Sequence, residues 1–237
     1  MVGIGPGGRL DRTRRAEQAV AECRVIVGYK RYLQLIADLT EGKELISTGM
    51  TREVERCRLA LDRARHDSVA LVSSGDPGVY GMAGLAIELA HSEGLDVPIE
   101  IVPGVSAANA AAARLGAPLM LDFAAISLSD LLVPWDSIRQ RLEAVAAADL
   151  VVALYNPRSK KRVRQLEEAR SIFLQHRPPE TPVGIGTSVG TPDEHIALSD
   201  LSSFLELEIG MRSLVVVGNR SSRRVGDWFL TPRGYRL

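Results

Sequence analysis

An excess of charge of either sign is missing from this 237-residue chain: 29 Lys and Arg stand against 29 Asp and Glu, for a formal net charge of zero. The whole-molecule field therefore steers neither nucleic acid nor an anionic membrane toward the protein, and anion binding has to come from local clusters. Long apolar runs are missing as well. No stretch approaches the ~20 apolar residues that a membrane helix needs. The N-terminus also lacks the basic-then-apolar pattern of a secretory signal, so a cytoplasmic protein with no membrane partner is expected. Cysteine is scarce. Cys23 and Cys57 each fall in a helical pattern, with no Cys-x-x-Cys and no neighbouring histidine, and both are expected as small buried apolar residues rather than ligands or disulfide partners. The histidines (His66, His91, His176 and His195) are scattered without metal-ligand spacing, so no metal site is expected.

What is present is an alternation of short β-branched runs with amphipathic segments, at an apolar content of 46% that is ordinary for a globular protein. The chain is long enough for one large domain or two small ones. Strands are expected at Val25–Gly28, Leu45–Ser47, Val69–Val72 and Ile99–Val102, after a stub of strand at the N-terminus. Helices are expected at Thr13–Cys23, Tyr29–Leu39, Arg52–His66 and Ala107–Ala113. Such alternation predicts an α/β fold with a mostly parallel sheet and covering helices. Leu115-Gly116-Ala117-Pro118 is a stop signal, and the boundary is placed near Leu119–Asp122, giving domains 1–118 and 122–237. The second half reads as strand Phe123–Leu128, a helix from about Asp136 to Ala148 and strand Leu150–Tyr155. A basic helix from about Ser159 to Gln175 follows, then strands at Val183–Gly186, Glu194–Leu198, Leu214–Val217 and Trp228–Leu230. A mixed sheet with helices is expected there.

The most informative stretch is Ser73-Ser74-Gly75-Asp76-Pro77-Gly78-Val79-Tyr80-Gly81, a strand-to-helix loop with three glycines, a proline and an acid in nine residues. That composition suits backbone brought close to a ligand, and ligands of open α/β sheets sit outside the carboxyl ends of the strands. Val102-Pro103-Gly104-Val105-Ser106-Ala107-Ala108 repeats the arrangement, with Ser106 where an N-cap belongs. Either loop alone is also compatible with an ordinary tight turn. Gly3, Gly5 and Gly8 fit Gly-x-Gly-x-x-Gly, but the second strand ends in Tyr29-Lys30-Arg31 with no acid for a ribose, and Pro6 interrupts the loop. The dinucleotide reading is therefore rejected, and with it the common methyltransferase fold built on the same pairing. Asn156-Pro157-Arg158-Ser159-Lys160-Lys161-Arg162-Val163-Arg164 is the densest positive patch. Placed at a strand end and a helix start, it suits a polyanionic small molecule. No aromatic residue is interleaved for base stacking, so no nucleic-acid partner is expected; a solvated helix face is the alternative. Tyr29, Lys30 and Arg31 are candidates for acid/base work or carboxylate binding.

Together, Val2-Gly3-Ile4-Gly5-Pro6-Gly7, Val27-Gly28-Tyr29-Lys30-Arg31-Tyr32, Ser73–Gly81 and Pro103-Gly104-Val105-Ser106-Ala107 resemble the tetrapyrrole methylase family. Leu115–Leu119, Asp122-Phe123, Ile126–Leu132, Pro134-Trp135, Leu154–Ser159 and Thr231–Tyr235 continue the likeness nearly end to end. They are similar to the branch that methylates carbon 17 of a precorrin-3-type ring, with ring contraction, in cobalamin biosynthesis. The resemblance implies a two-domain, homodimeric enzyme with S-adenosylmethionine folded in the cleft that the second domain completes, and S-adenosylhomocysteine as product. By position it implies Pro6, Ser74, Gly75, Asp76, Val79, Ser106, Ala107, Asn156, Ser188 and Val189 for the cofactor. It implies Gly5 and Gly7, with Arg158 and Lys160 of the basic run, for the tetrapyrrole, and Tyr29 or Lys30 as the acid/base group. Gly210-Met211 departs from the family's usual Asp-Met. Whether the substrate carries cobalt stays open. The competing readings are a relative acting on another precorrin position or another substrate, and a non-catalytic tetrapyrrole-binding module.

Overall fold

A computed structural model describes residues 1–236 and divides the chain into two compact units, the first Met1–Ala107 and the second beginning at Ala108. In the first unit β1 (Val2–Gly3), α1 (Arg14–Glu22), β2 (Val25–Tyr29), α2 (Lys30–Leu35), β3 (Glu44–Thr48), α3 (Glu53–Ala64), β4 (Val69–Ser73) and α4 (Ala83–Ser92) alternate. The strands pair in the order β1-β4-β2-β3, all parallel. β2 and β4 are covered on both faces, which is why they read as near-continuous apolar runs. Ile26, Ala70 and Val72 pack with Ala16 and Val20 of α1, while Val25, Val27 and Leu71 pack with Cys57, Ala60 and Ala86 of α3 and α4. The period-two alternation of a strand thus assigns successive residues to opposite layers. The Thr13 hydroxyl starts α1 by accepting the Ala16 N–H at 3.0 Å.

Three expectations for this unit are corrected. The helix expected over Tyr29–Leu39 ends at Leu35, because Ile36 leaves helical backbone (φ −117°) to bury its side chain, and a 3-10 turn, Ala37–Leu39, follows. Ile99–Val102 forms no strand: β1 offers only two residues, and Val102 makes a single parallel bridge to Val2. Cys57 is buried as expected, but Cys23 is only half-buried. Burial pushes both thiols up, Cys57 to about 11. Among the described residues no helix is long and apolar enough to cross a membrane, and no group of three His, Cys, Asp or Glu could hold a metal ion.

The second unit carries α5 (Ala107–Leu115), β5 (Gly116–Ala117), β6 (Phe123–Ser127), α6 (Trp135–Ala147), β7 (Val151–Tyr155), α7 (Arg164–Leu174) and β8 (Pro182–Thr187). β9 (His195–Asp200), β10 (Ser213–Val217), β11 (Arg223–Val225) and β12 (Trp228–Leu230) complete it. Its main sheet has the order β6-β7-β10-β8-β9, with β6 and β7 parallel and the other pairs antiparallel; β11, β12 and β5 make a small second sheet. The core lies between this sheet and α6 and α7, around Leu128, Leu142, Leu166, Phe173 and Phe204. On β8, glycines alternate. A Cβ at Gly184 would come within 2.6 Å of Leu115, and one at Gly186 within 2.9 Å of the Ala111 Cβ, so α5 lies flat on the strand. That packing groups α5 and β5 with the second unit, ahead of the boundary expected near residues 119–122.

The basic segment also differs from expectation. α7 begins at Arg164, not near Ser159. The Ser159 N–H donates to the Arg162 carbonyl (2.9 Å), and its hydroxyl accepts the Arg162 N–H (3.0 Å), so residues 156–163 close a turn of their own.

Candidate active site

At the carboxyl edge of the parallel sheet, the loops after β1 and β4 and the segment ahead of α5 meet backbone to backbone. The Gly5 and Gly75 N–H groups each donate to the other's carbonyl, at 3.2 and 2.7 Å, and the Gly3 N–H donates to the Val102 carbonyl at 2.9 Å. A Cβ at Gly3 would lie 2.7 Å from Gly104 N and 2.8 Å from Gly75 O; one at Gly104 would lie 2.2 Å from Gly75 O. No side chain fits at this junction. Asp76 ties it from the side: one carboxylate oxygen accepts the Gly78 N–H (2.8 Å) and the other the Gly104 N–H (3.0 Å). Gly5 and Gly75 take positive φ (74° and 63°), a conformation that glycine adopts without penalty. Around the junction Pro6, Gly7, Ser74, Ser106 and Ala107 are half-buried and Val79 is exposed. All the first-unit candidates for cofactor and substrate are therefore within this one set of loops.

Tyr29 closes β2 at the same edge, with its register partner Thr48 closing β3. Its half-buried ring meets Tyr32 edge-on at 5.3 Å, and the Arg56 guanidinium lies 6.0 Å over it, at the outer range of a cation–π contact. Arg56 is buried with no carboxylate partner among the described residues. It donates to Thr48 Oγ1 (2.6 Å), the Gly49 carbonyl (2.7 Å) and Met82 Sδ (3.3 Å). Lys30, the first residue of α2, is exposed and makes no comparable contacts. A cavity of about 280 Å³ lined by Met1, Cys23, Val69, Pro98 and Glu100 lies at the opposite, amino edge of the sheet and holds none of the candidate residues.

In the second unit β6, β7 and β8 end at one edge. The residues after β7 and β8, Asn156 and Ser188, both adopt left-handed backbone (φ 50° and 51°), a strain that non-glycine residues carry at about 1–2 kcal/mol and that concentrates at functional sites. Asn156 Nδ2 donates to Ser127 Oγ (3.0 Å), and its carbonyl accepts from Arg162 (2.7 Å). The Ser188 hydroxyl is buried with no partner among the described residues. Tyr155 caps the start of α5, its hydroxyl accepting the Ala108 N–H at 3.1 Å. Val189 is buried; its side chain comes within 2.8 Å of where a Gly186 Cβ would be. In the basic run the cations divide. Arg162 is buried and serves the loop, Arg158 faces Glu167 at 3.7 Å, and Lys160 and Lys161 are exposed.

Comparison with known proteins decides what these edges belong to. The profile of the Tetrapyrrole (Corrin/Porphyrin) Methylases matches residues 1–204. The chain belongs to the tetrapyrrole methylase family. It is 47% identical to the cobalt-factor III methyltransferase of Priestia megaterium, covering 100% of this chain but 45% of that longer protein. It is 44% identical to the probable cobalt-factor III C(17)-methyltransferase of Salmonella typhimurium, over 100% of this chain and 99% of that one. The solved methyltransferase CobJ superposes with a TM-score of 0.89 at 40% identity, covering 98% of both chains. The uroporphyrin-III C-methyltransferase of Thermus thermophilus, solved with S-adenosyl homocysteine, superposes at 0.69 with 26% identity over 92% of this chain and 95% of that one. Three features of this tetrapyrrole methylase escape a sequence reading. Arg56 looks like one more charge on a charged helix. The cap from Tyr155 spans 47 residues. The Gly184-x-Gly186 spacing is a signal that alternation on a strand offers only once the facing helix is known.

Proposed function

We propose that the chain transfers a methyl group from S-adenosylmethionine to carbon 17 of a precorrin-3-type tetrapyrrole in cobalamin biosynthesis, with loss of carbon 20 from the ring. The observation that carries this reading is the end-to-end likeness to the Salmonella C(17)-methyltransferase, 44% identical over 100% of this chain and 99% of that protein. S-adenosylmethionine, when bound, supplies an electrophilic sulfonium methyl and leaves as S-adenosylhomocysteine. The residues fit such a group: the orphan Ser188 hydroxyl is a polar atom lacking the partner that buried hydroxyls ordinarily find, and at Gly75 no atom lies nearer than 3.6 Å to where a Cβ would stand, which leaves the loop's main chain clear there. Pro6, Ser74, Gly75, Asp76, Val79, Ser106, Ala107, Asn156, Ser188 and Val189 would hold it. Gly5, Gly7, Arg158 and Lys160 would receive the substrate, the cations pairing with its carboxylates.

The chain's own task is alignment of the ring carbon and transfer of one proton as that carbon becomes quaternary; orientation alone is worth several kcal/mol of barrier. Tyr29 is better supported than Lys30 for the proton, because its half-buried ring packs edge-on against Tyr32 beneath Arg56 while Lys30 is exposed on the helix surface. A cytoplasmic homodimer is part of the same reading. The test is product analysis with methyl-labelled S-adenosylmethionine by carbon NMR and mass spectrometry, offering metal-free and cobalt-loaded substrate. Label on carbon 17 of a contracted ring is expected; label elsewhere on the ring, on protein or on RNA overturns the assignment. Tyr29→Phe should lower turnover by about 10²-fold or more with cofactor affinity intact, and Lys30→Ala by much less.

A further inference from the structure

Leu131 and Leu132, in the loop between β6 and α6, are 77% and 96% exposed. Single exposed leucines need no explanation, but two adjacent ones on a loop held from both sides do. Leu128 before them is fully buried, and its N–H donates to the Tyr155 carbonyl at 2.9 Å. Asp130 accepts from Gln165 Nε2 at 2.8 Å, and Trp135 after them donates to Glu168 at 2.6 Å while packing on the core. The loop is thus fastened to the end of β7 and the first turns of α7, and its leucines stand out from a braced base.

The strand order places this loop next to the basic one. β6 and β7 are adjacent and parallel, so the loops that follow them leave the same edge side by side. The second loop carries Lys160 and Lys161, both exposed and without an ion pair among the described residues, with Arg158 and Arg164 beside them. An apolar pad on one loop with free cations on the neighbouring loop matches a flat, largely apolar ring with carboxylates on its rim.

Building on the tetrapyrrole reading, we propose that Leu131 and Leu132 form the surface on which one face of the substrate macrocycle rests, with Lys160 and Lys161 taking its carboxylates. This pad is a substrate-specificity determinant of the second unit that acts in binding, not in the chemical step. The pair Leu131→Ser/Leu132→Ser in the full chain tests it, beside Leu131→Met/Leu132→Met and Lys160→Ala/Lys161→Ala. Binding is read with uroporphyrin, a carboxylate-rimmed tetrapyrrole, by fluorescence quenching, and turnover with the precorrin-3-type substrate. The serine pair should weaken uroporphyrin binding and raise KM about tenfold or more, with kcat, S-adenosylhomocysteine affinity and thermal midpoint unchanged. Its defect should be the same at low and high salt, whereas that of the lysine pair should shrink as salt rises. The methionine pair should bind as wild type does. Unchanged uroporphyrin binding and KM in the serine pair overturn the proposal. So does a lowered thermal midpoint, a shift in sedimentation to a smaller species, or loss of binding to anionic vesicles with kinetics intact. Failure of the underlying reading is separable, since it appears as wild-type protein that binds uroporphyrin yet puts no label on carbon 17.

Discussion

The two sheets build their carboxyl edges from different material. In the first unit the edge is main chain against main chain: Gly3 and Gly104 leave no room for a Cβ, Gly75 takes positive φ, and Asp76 locks the contact with both carboxylate oxygens. In the second unit the edge consists of side chains on strained strand ends, Asn156 and Ser188, with Tyr155 capping a helix from 47 residues away. A backbone-built edge announces itself in the sequence, because glycine alone is compatible with it. An edge built from Asn, Ser and Tyr does not, since those residues serve equally well in any turn.

The largest expected effect breaks the backbone junction. Gly104→Ala puts a Cβ 2.2 Å from the Gly75 carbonyl oxygen, and relief requires moving main chain, so a loss of about 3 kcal/mol or more is expected together with loss of cofactor binding. Gly84→Ala, with nothing within 4 Å of the new methyl in α4, should stabilise by about 0.5–1 kcal/mol. Urea denaturation of both gives the contrast. A wild-type midpoint for Gly104→Ala would show that the loops part freely and that the glycines are incidental.

An intermediate effect probes the strained ends of the second unit. Ser188→Gly removes left-handed strain and a hydroxyl that has no partner, so stability should stay within about 1 kcal/mol of wild type, on the stabilising side. Affinity for S-adenosylhomocysteine should nevertheless fall about three- to tenfold, the worth of one hydrogen bond. Asn156→Gly differs because it also gives up the 3.0 Å bond to Ser127, and should be less stable than Ser188→Gly by about 1 kcal/mol, the strain relief being offset by the lost bond. Calorimetry and denaturation on the same samples separate the two. Clear destabilisation by Ser188→Gly would mean that its hydroxyl holds the fold rather than awaiting a ligand.

The smallest effect compares one carboxylate from each unit. Hydrogen bonding from Arg12 holds the Asp38 carboxyl below its usual range, and the hydroxyls of Ser202 and Ser203 do the same for Asp200, with burial opposing in both. A folded-state value below the unfolded one means the stabilisation is present above the unfolded value of about 3.9 and disappears as pH falls through the folded value. Stability should therefore decline below about pH 4. Because Asp38 is partly exposed, its share is small, under about 1 kcal/mol. Asp38→Asn should flatten the acid limb slightly in a pH series of denaturation curves; an unchanged limb would leave the acid response to Asp200 and the remaining carboxylates.

The alternation of strands and helices, the parallel arrangement of the first sheet and the loops at Gly5, Gly75 and Gly104 were all legible in the order of residues alone. Each of these follows from local rules: burial on both faces makes an apolar run, and a junction without side chains makes a cluster of glycines. Likeness along the whole chain then made the family legible. Long-range packing sets where α7 begins, why Arg162 serves its own loop while Lys160 stays exposed, and that Arg56 lies buried over Tyr29 with no acid beside it among the described residues. It also decided that α5 lies on Gly184 and Gly186, and that Leu131 and Leu132 stand clear of the core their neighbours enter. The physical reason is common to all of these. Each depends on what a residue meets across a gap in sequence, and a charge or a leucine carries no local mark of whether its partner is water, protein or a ligand.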